Sequence, residues 1–596
     1  MLGRLDRALT AALDGVVVAL AGLLLVLLNW AVFARFVLNA SVSWGEELPA
    51  HILAMLTFIG AALLTRTNEH IGFDGVLRML PSAAQRVVQA FNLTAIAGFA
   101  GTMAYYGTIA AASFAGRPLI SIDLPMALFR GAMPLGCALD RRHRRRAPRR
   151  PRDRHGGAAR PPAGDGRVMP FDPGILILVL LVVLVLTGMP IAFVLGVTAM
   201  VMIVLDPAVV PQIMGLIPFG GANNYLLVAA LLFMIAGEVM NQGRIAERLI
   251  AFAGSLVGHI RGGLAHVNIL TSLFFSEISG TATSDAAAIG SVMIPQMKKR
   301  GYPVAFAAAV TSTSATMAII VPPSLNLILY AYVADTSIAA LFAAGILPGV
   351  LVAFLLMATT WILAVRRGYP TEGPFRLRNV VSTGRDALVP ITLPILILFG
   401  ILSGVFTATE AGAVAALWSI VLAAVLYRTL SLRGFVDTLR IAGKRSAMLM
   451  FIVATSTLLG WYLTNQRIPQ EIAEAILGIS DNPWVVLGAI NLFFLAAGTI
   501  IHGTPAILML VPIFLPLADE LGIDRVHFGL IITINLGIGQ QTPPVASVVL
   551  ITCAIARISL AAIIPSLMWF IAAMLVALVL VNAIPGLSLW LPSLLL

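Results

Sequence analysis

From Ala11 onward the chain is a succession of apolar stretches, most of them near or above the roughly 20 residues that an α-helix needs to cross a bilayer. In the first 140 residues they run over about 11–38, 48–65, 86–112 and 125–139, the last too short to span comfortably. From 169 onward they are longer but interrupted by Gly, Pro, Ser and Thr. They cover about 172–205 (broken at Gly188-Met189-Pro190), 223–240, 264–298, 302–333, 338–366, 387–428, 446–465, 483–520, 525–556 and 559–591. Two shorter amphipathic pieces, starting at Asn241 and Asn465, lie between them. This pattern predicts an all-α polytopic membrane protein. The first apolar run is too long for the core of a signal peptide and lacks a clean small-residue cleavage site. It reads as a first spanning helix whose basic start, Arg4 and Arg7, stays in the cytoplasm.

Composition agrees: 59% of residues are hydrophobic and only 11% charged, against roughly a quarter charged in a soluble domain. The net charge of +11 would suggest nucleic-acid binding if it were spread over a face. It is not, because residues 137–168 hold eleven Arg against three Asp, so +8 sits in one stretch and only +3 elsewhere. That stretch, rich in Arg, Pro and Gly, reads as a disordered linker that should remain cytoplasmic. A frame change in the coding DNA, with a fresh start at Met169, would also produce it. The chain thus divides into residues 1–136, the linker 137–168 and residues 169–596. Two cysteines, Cys137 and Cys553, support neither a disulfide framework nor a zinc site.

The second part repeats itself. At a shift of 221 residues Pro295 falls on Pro516, Gly301 on Gly522, Pro322 on Pro543 and Pro323 on Pro544, and the two amphipathic pieces are related by a shift of 224. The repeats span about 223–366 and 446–591. Each holds a long segment with a polar cluster at its centre, Ser276–Asp285 in one and Gly498–Ala506 in the other. Such a segment can enter the bilayer, turn and return, provided its tip is buried in protein or faces water. After each comes a segment interrupted by a Pro pair, in Val321–Ser324 and Gln541–Pro544. Proline lacks an N–H and disfavours helix in the residue before it, so each pair should unwind its helix and free carbonyls. Matched broken helices in two halves point to the midplane site of a transporter.

The chemistry on offer there is neutral oxygen. Ser279, Thr281, Thr313 and Ser314 in one half, and Thr504, Asn535 and Thr542 in the other, can ligate a small hard cation together with freed carbonyls, and helix N-termini would welcome a carboxylate. The competing reading is close helix packing, where Ser, Thr and Gly are common. Glu277 and Asp285 flank the first tip. Glu238 and Glu410 follow apolar runs and are expected to sit hydrated near an interface. His502 at the second tip is either a proton acceptor or a hydrogen-bonded structural histidine.

At these residues the sequence resembles the tripartite ATP-independent periplasmic (TRAP) transporters. Residues 169–596 are similar to the large membrane subunit through GHIRGGLAHVN (258–268), ISGTATSDAAAIG, IPQMKKRGYPVAFAAAVT, IIVPPS, FTATEAGAVA (406–415) and VHFGLIITINLGIGQQTPP. Residues 1–136 are similar to the small membrane subunit through SWGEEL (43–48) and FIGAALLTRTNEHIGFD (58–74), with four helices expected there. The resemblance implies a sodium-driven importer of the elevator type, built from inverted repeats with two re-entrant hairpins and two broken helices, in the bacterial inner membrane. It implies a periplasmic substrate-binding protein that delivers a small carboxylate-bearing solute, sodium as coupling ion, no other cofactor or metal, no ATPase and no enzymatic activity. By the same resemblance one sodium site falls at Ser279, Gly280, Thr281, Thr313 and Ser314, a second at Thr504, Asn535, Thr542 and Pro543, and substrate at Asn326, Thr283 and His502. The sequence departs from the family pattern at Ser276-Glu277, Ala318-Ile319, His502 and Gln540-Gln541. Trp44, Glu46, Glu47 and His70 in the small-subunit part read as structural, Trp44 as an interfacial anchor.

Rival functions fare worse. No GxxxxGK[ST] loop is present for an ATP-driven pump. An intramembrane protease using Ser279 with His502 explains neither the repeat nor the paired Pro breaks. A binding-protein-independent sodium or proton symporter or antiporter of related inverted-repeat architecture remains the alternative.

Overall fold

The computed structural model describes residues 2–70, 72, 77, 80–139, 172–242, 245–478, 480, 482–543 and 546–596, the side chains of 2–5, 245–246 and 277–279 aside. Helices account for almost all regular structure among them; the only β contacts are isolated bridges at Gly72–Pro190 and Pro118–Pro125. Eleven described helices are long and apolar enough to cross a membrane. This is the fold of a multi-pass membrane protein, in which helices satisfy their own backbone polar groups.

The small-subunit part forms helices Leu2–Phe36, Glu47–Thr67 and Ser82–Ser113, then the short pair Met126–Arg130 and Ala132–Leu139. They pack on the longest helix of the second part, Leu432–Asn465, and on Ile191–Leu205 and Ile213–Ala222. Glycines let backbones close in: a Cβ on Gly60 would run into Ala447, and one on Gly443 would lie 2.9 Å from Val17. Ion pairs line this seam, with Asp14–Arg440 at 2.7 Å, Glu69–Lys444 at 3.2 Å and Arg35–Glu410 at 2.7 Å.

The flanks of the Arg-rich segment do not lie together. Arg66 donates to the Leu139 carbonyl at 3.2 Å and pairs with Asp6, so Leu139 lies at the end of helix Glu47–Thr67 beyond which Glu69 pairs with Lys444. Gly174, by contrast, lies against Ile468, past the Asn465 end of helix Leu432–Asn465, where Asp206 bonds Tyr462 and Gln466. The 21 residues from Lys444 to the end of that helix at Asn465 correspond to about 32 Å, close to the thickness of a hydrocarbon core. Residues 140–168 themselves lie outside the described ones.

In the second part several apolar stretches divide. The break expected near Gly188-Met189-Pro190 separates helices Pro173–Leu186 and Ile191–Leu205. The stretch 387–428 is two elements, Leu377–Leu402 and Ala408–Val421, the second opened by a capping box of Thr407 and Glu410. Helix Ile213–Ala222, not expected from the apolar pattern, contains Pro218 and three glycines. The amphipathic pieces are helices Ile245–Val257 and Ile468–Leu477. The first packs on Gly263–Ser279 and Leu377–Leu402, the second on Gly503–Glu520.

Candidate functional site

Both polar clusters form turns between two helices. Helix Gly263–Ser279 stops because Gly280 takes a left-handed conformation, φ 61°, whose strain glycine alone avoids. Thr281 is extended, and Ala282–Lys299 begins at once. In the other half, Pro483–Ile500 ends at an extended Ile501, and His502 precedes helix Gly503–Glu520. The Pro pairs break helices as expected. Val304–Ala315 tightens into a 3-10 turn, Thr316–Ile319, and resumes only at Leu325–Ala334. Arg525–Gly539 stops before Gln540 and resumes at Ser547–Ala556; Pro544 lies outside the described residues.

The four interruptions meet. Leu325 N–H donates to the Gly280 carbonyl at 3.4 Å, so the first turn rests on the restart of the first broken helix. One residue on, Asn326 Oδ1 accepts from the Thr504 hydroxyl at 2.9 Å, which brings in the second turn. Gln541 Nε2 donates to the Ser312 carbonyl at 2.7 Å and to Thr316 Oγ1 at 2.5 Å, tying the second break to the first. A Cβ on Gly539 would stand 2.6 Å from the backbone of Gly498, and one on Gly503 2.5 Å from Gln540. The first of these crossings is backbone against backbone and admits only hydrogen. Asn326, Thr504, Thr313, Ser314 and Gln541 are all buried.

The residues singled out from sequence are distributed as follows. Gly280, Asn326 and Thr504 come together. Thr313 Oγ1 donates to the Ala309 carbonyl at 2.8 Å, and Ser314 accepts from Ser272 at 3.0 Å while donating to the Thr311 carbonyl. Both hydroxyls therefore retain acceptor capacity for a cation. Thr281 and Thr283 are half-buried at the start of helix Ala282–Lys299, and the Ser279 side chain lies outside the described ones. Thr542 donates to the Ile538 carbonyl at 2.9 Å, and Pro543 is half-buried beside it. Asn535 bonds away from these residues, to Asn491 on helix Pro483–Ile500. His502 is half-buried, with no hydrogen-bond partner for Nδ1 among the described residues.

Oxygens without donors are what a bound cation needs. Among the described residues, the buried side-chain oxygens of Asn535, Gln540 and Gln541 have no hydrogen-bond partner. Unpaired buried oxygens of this kind suit a small cation, and those of Gln540 and Gln541 lie at the second break. Gln540 and Gln541, which the sequence marked only as departures, carry this feature. The signal that could have found them was their position immediately before the second Pro pair.

Two of the other acids make structural bonds. Glu410 is not merely hydrated: it caps its own helix, accepting from Thr407 N–H at 2.9 Å, and pairs with Arg35. Nor is Glu238, which lies 3.2 Å from Arg445. Asp285 is fully buried with neither oxygen hydrogen-bonded among the described residues; the Glu277 side chain lies outside them. In the small-subunit part, Glu47 accepts from Ile120 N–H and Ser121 N–H at 3.0 and 2.8 Å. His70 bonds Thr65 at 2.9 Å and stacks edge-on against Phe193 across the seam. Burial there pushes its imidazole down to about 4. Trp44 is half-buried and Glu46 exposed.

A family model described as "Tripartite ATP-independent periplasmic transporter, DctM component" matches residues 178–587, and one for the DctQ component of the same transporters matches 4–139. The C4-dicarboxylate TRAP transporter large permease protein DctM of Pseudomonas aeruginosa is 40% identical over 375 residues, 63% of this chain and 88% of the relative. The sialic acid TRAP transporter large permease protein SiaM of Vibrio cholerae is 37% identical over 411 residues, 69% of this chain and 96% of the relative. The 2,3-diketo-L-gulonate TRAP transporter large permease protein YiaN of Escherichia coli is 33% identical over 347 residues, 58% of this chain and 82% of the relative. With its interlocked helix breaks and these matches along both parts, the chain belongs to the TRAP transporter family as joined DctQ and DctM components, a membrane transporter and not an enzyme.

Proposed function

We propose that the protein is a sodium-driven secondary importer of a small carboxylate-bearing solute. In this reading a periplasmic substrate-binding protein delivers the solute at the bacterial inner membrane. The observation that carries it is the meeting of two repeat-related turns on the restart of the first broken helix, through Gly280 at Leu325 and Thr504 at Asn326, with the second break tied to the same helix by Gln541. Carbonyls and hydroxyls freed at the breaks suit sodium. The N-terminal N–H groups of helices Leu325–Ala334 and Gly503–Glu520 suit a carboxylate. The solutes named for the relatives, a C4-dicarboxylate, sialic acid and diketogulonate, are all carboxylates and support that class.

The two turns are re-entrant hairpins that ride with the broken helices as one moving body. The small-subunit part and the amphipathic helices Ile245–Val257 and Ile468–Leu477 hold the frame against which it moves. Alternating access by such rocking or sliding of one repeat assembly is the usual device of this architecture. One sodium ion is placed at Ser279, Gly280, Thr281, Thr313 and Ser314, a second at Thr504, Asn535, Thr542 and Pro543, with the solute at Asn326, Thr283 and His502.

The test is uptake into proteoliposomes holding the full chain, with a panel of labelled carboxylates, an inward sodium gradient, and a binding protein loaded with each. Accumulation should require sodium and the binding protein together. Accumulation without a binding protein would favour the symporter alternative, and uptake indifferent to the sodium gradient would overturn the coupling.

A further inference from the structure

Asn535 lies on helix Arg525–Gly539 and is fully buried. Both of its N–H donors are in use: Nδ2 donates to Asn491 Oδ1 at 2.5 Å and to the Ile531 carbonyl at 2.8 Å. An amide's oxygen and nitrogen are ordinarily assigned from their partners, and here the partners leave one choice. Turning the amide over would set its oxygen against two acceptors. The Asn535 oxygen is thus aimed away from Asn491, buried, with no hydrogen-bond partner among the described residues. A buried amide oxygen without a partner has given up its water for nothing; a cation in front of it supplies what it lacks.

What holds Asn535 is itself held. Asn491, on helix Pro483–Ile500, donates through Nδ2 to the Leu487 carbonyl at 2.8 Å and to Asn582 Oδ1 at 2.9 Å. That leaves Asn491 Oδ1 to face Asn535. Asn582, near the end of helix Leu560–Ala583, donates to the Leu578 carbonyl at 2.7 Å, which turns its own oxygen towards Asn491. Each amide fixes the orientation of the next, from the half-buried Asn582 inward to the buried Asn535. Three helices contribute one asparagine each.

We propose that Asn491 and Asn582 are positioning residues for the second cation site: they set the Asn535 oxygen as a ligand for sodium. The proposal rests on the sodium-coupled reading given above and deepens it. Neither residue touches the ion. Outer groups that orient a ligand commonly change metal affinity by about 10- to 100-fold.

The experiment is thermal unfolding of the detergent-purified full chain across a sodium titration, with potassium holding ionic strength constant. Asn491→Leu should raise the sodium midpoint about tenfold or more, and Asn582→Ala should move it in the same direction by less. Melting in potassium alone should change little for Asn582→Ala, whose side chain is half-buried at its helix end; a merely structural role would lower melting in potassium and leave the midpoint in place. If Asn491→Leu fails to fold, Asn582→Ala decides. Midpoints within twofold of the parent in the variants that fold would overturn the proposal. A parent protein with no sodium response would instead overturn the sodium-coupled reading itself, so the two failures are told apart.

Discussion

The backbone-to-backbone crossing in the candidate site gives a test with a built-in control. Gly498 and Gly539 meet backbone to backbone where helix Pro483–Ile500 passes helix Arg525–Gly539, and a Cβ on Gly539 would lie 2.6 Å from both the Cα and the carbonyl carbon of Gly498. Neither atom belongs to a flexible side chain, so one helix must shift. Forcing extra atoms into a packed interior costs typically 1–3 kcal/mol, and a backbone obstacle puts this case near the upper end, about 3. Exchanging glycine for alanine in a helix returns about 1 kcal/mol, leaving Gly539→Ala net destabilised by about 2. Gly488 lies on the same helix as Gly498, and a Cβ added there would meet no atom within 4 Å, so Gly488→Ala should instead stabilise by about 1 kcal/mol. The two variants should therefore differ by about 3 kcal/mol, and Gly539→Ala should melt well below the parent in a thermal scan of the purified chain. The shift would also carry Gln541, two residues on, away from Ser312 and Thr316, so its sodium response should weaken. If Gly539→Ala melts at or above Gly488→Ala, the close crossing is not what holds the second break in place.

Three further outcomes follow from named contacts. Asn326→Leu leaves the buried Thr504 hydroxyl without its 2.9 Å partner, a loss of about 1–3 kcal/mol readable by thermal melting; solute uptake should fall far more than stability does. His70 is held neutral by burial, its imidazole pushed from 6.5 to about 4. The unfolded chain binds the proton first, so this contribution is complete above pH 6.5, is lost as pH falls towards 4, and amounts to about 3 kcal/mol at most. A His70→Gln variant should melt with a shallower pH slope over that window, and an unchanged slope would count against a neutral, half-buried histidine at the seam. Residues 1–139 and 169–596 expressed as separate chains should copurify, because the seam is held by Gly60 on Ala447 and by three ion pairs; a large part that purifies alone would show the seam to be insufficient.

Much of the fold is legible because its punctuation is chemical. Gly280 ends a helix where only a left-handed residue can, Pro190, Pro322 and Pro543 fall at or beside interruptions, and the shift of 221 sets the two halves in register without reference to any contact. Other elements hide behind the same residues. Helix Ile213–Ala222 contains Pro218, Gly215, Gly220 and Gly221, a composition that reads as loop. Two of its glycines serve packing instead, Gly215 against Tyr106 and Gly221 against Thr457. The division of 387–428 is readable in Thr407-Ala408-Thr409-Glu410, the Thr-x-x-Glu signature of a capping box, but strong hydropathy on both sides masks it. The amide chain of Asn491, Asn535 and Asn582 leaves no local trace, since its members stand 44 and 47 residues apart and only tertiary packing brings them together. The charges of Glu238 and Glu410 mislead for the same reason, because their arginine partners lie 207 and 375 residues away.

The central claim is that the meeting point of the four helix interruptions binds sodium, and the most direct test is thermal unfolding of the full chain against sodium, with potassium or choline as the balancing cation. A ligand that binds only the folded state stabilises it by mass action, about 2.7 kcal/mol at a hundredfold excess over its dissociation constant. The account predicts a saturable rise in melting temperature with sodium alone, with the midpoint moved to higher sodium in Thr281→Val and in Thr542→Val while both remain folded. Superimposable curves in sodium and potassium, from a protein that melts cooperatively, would contradict it.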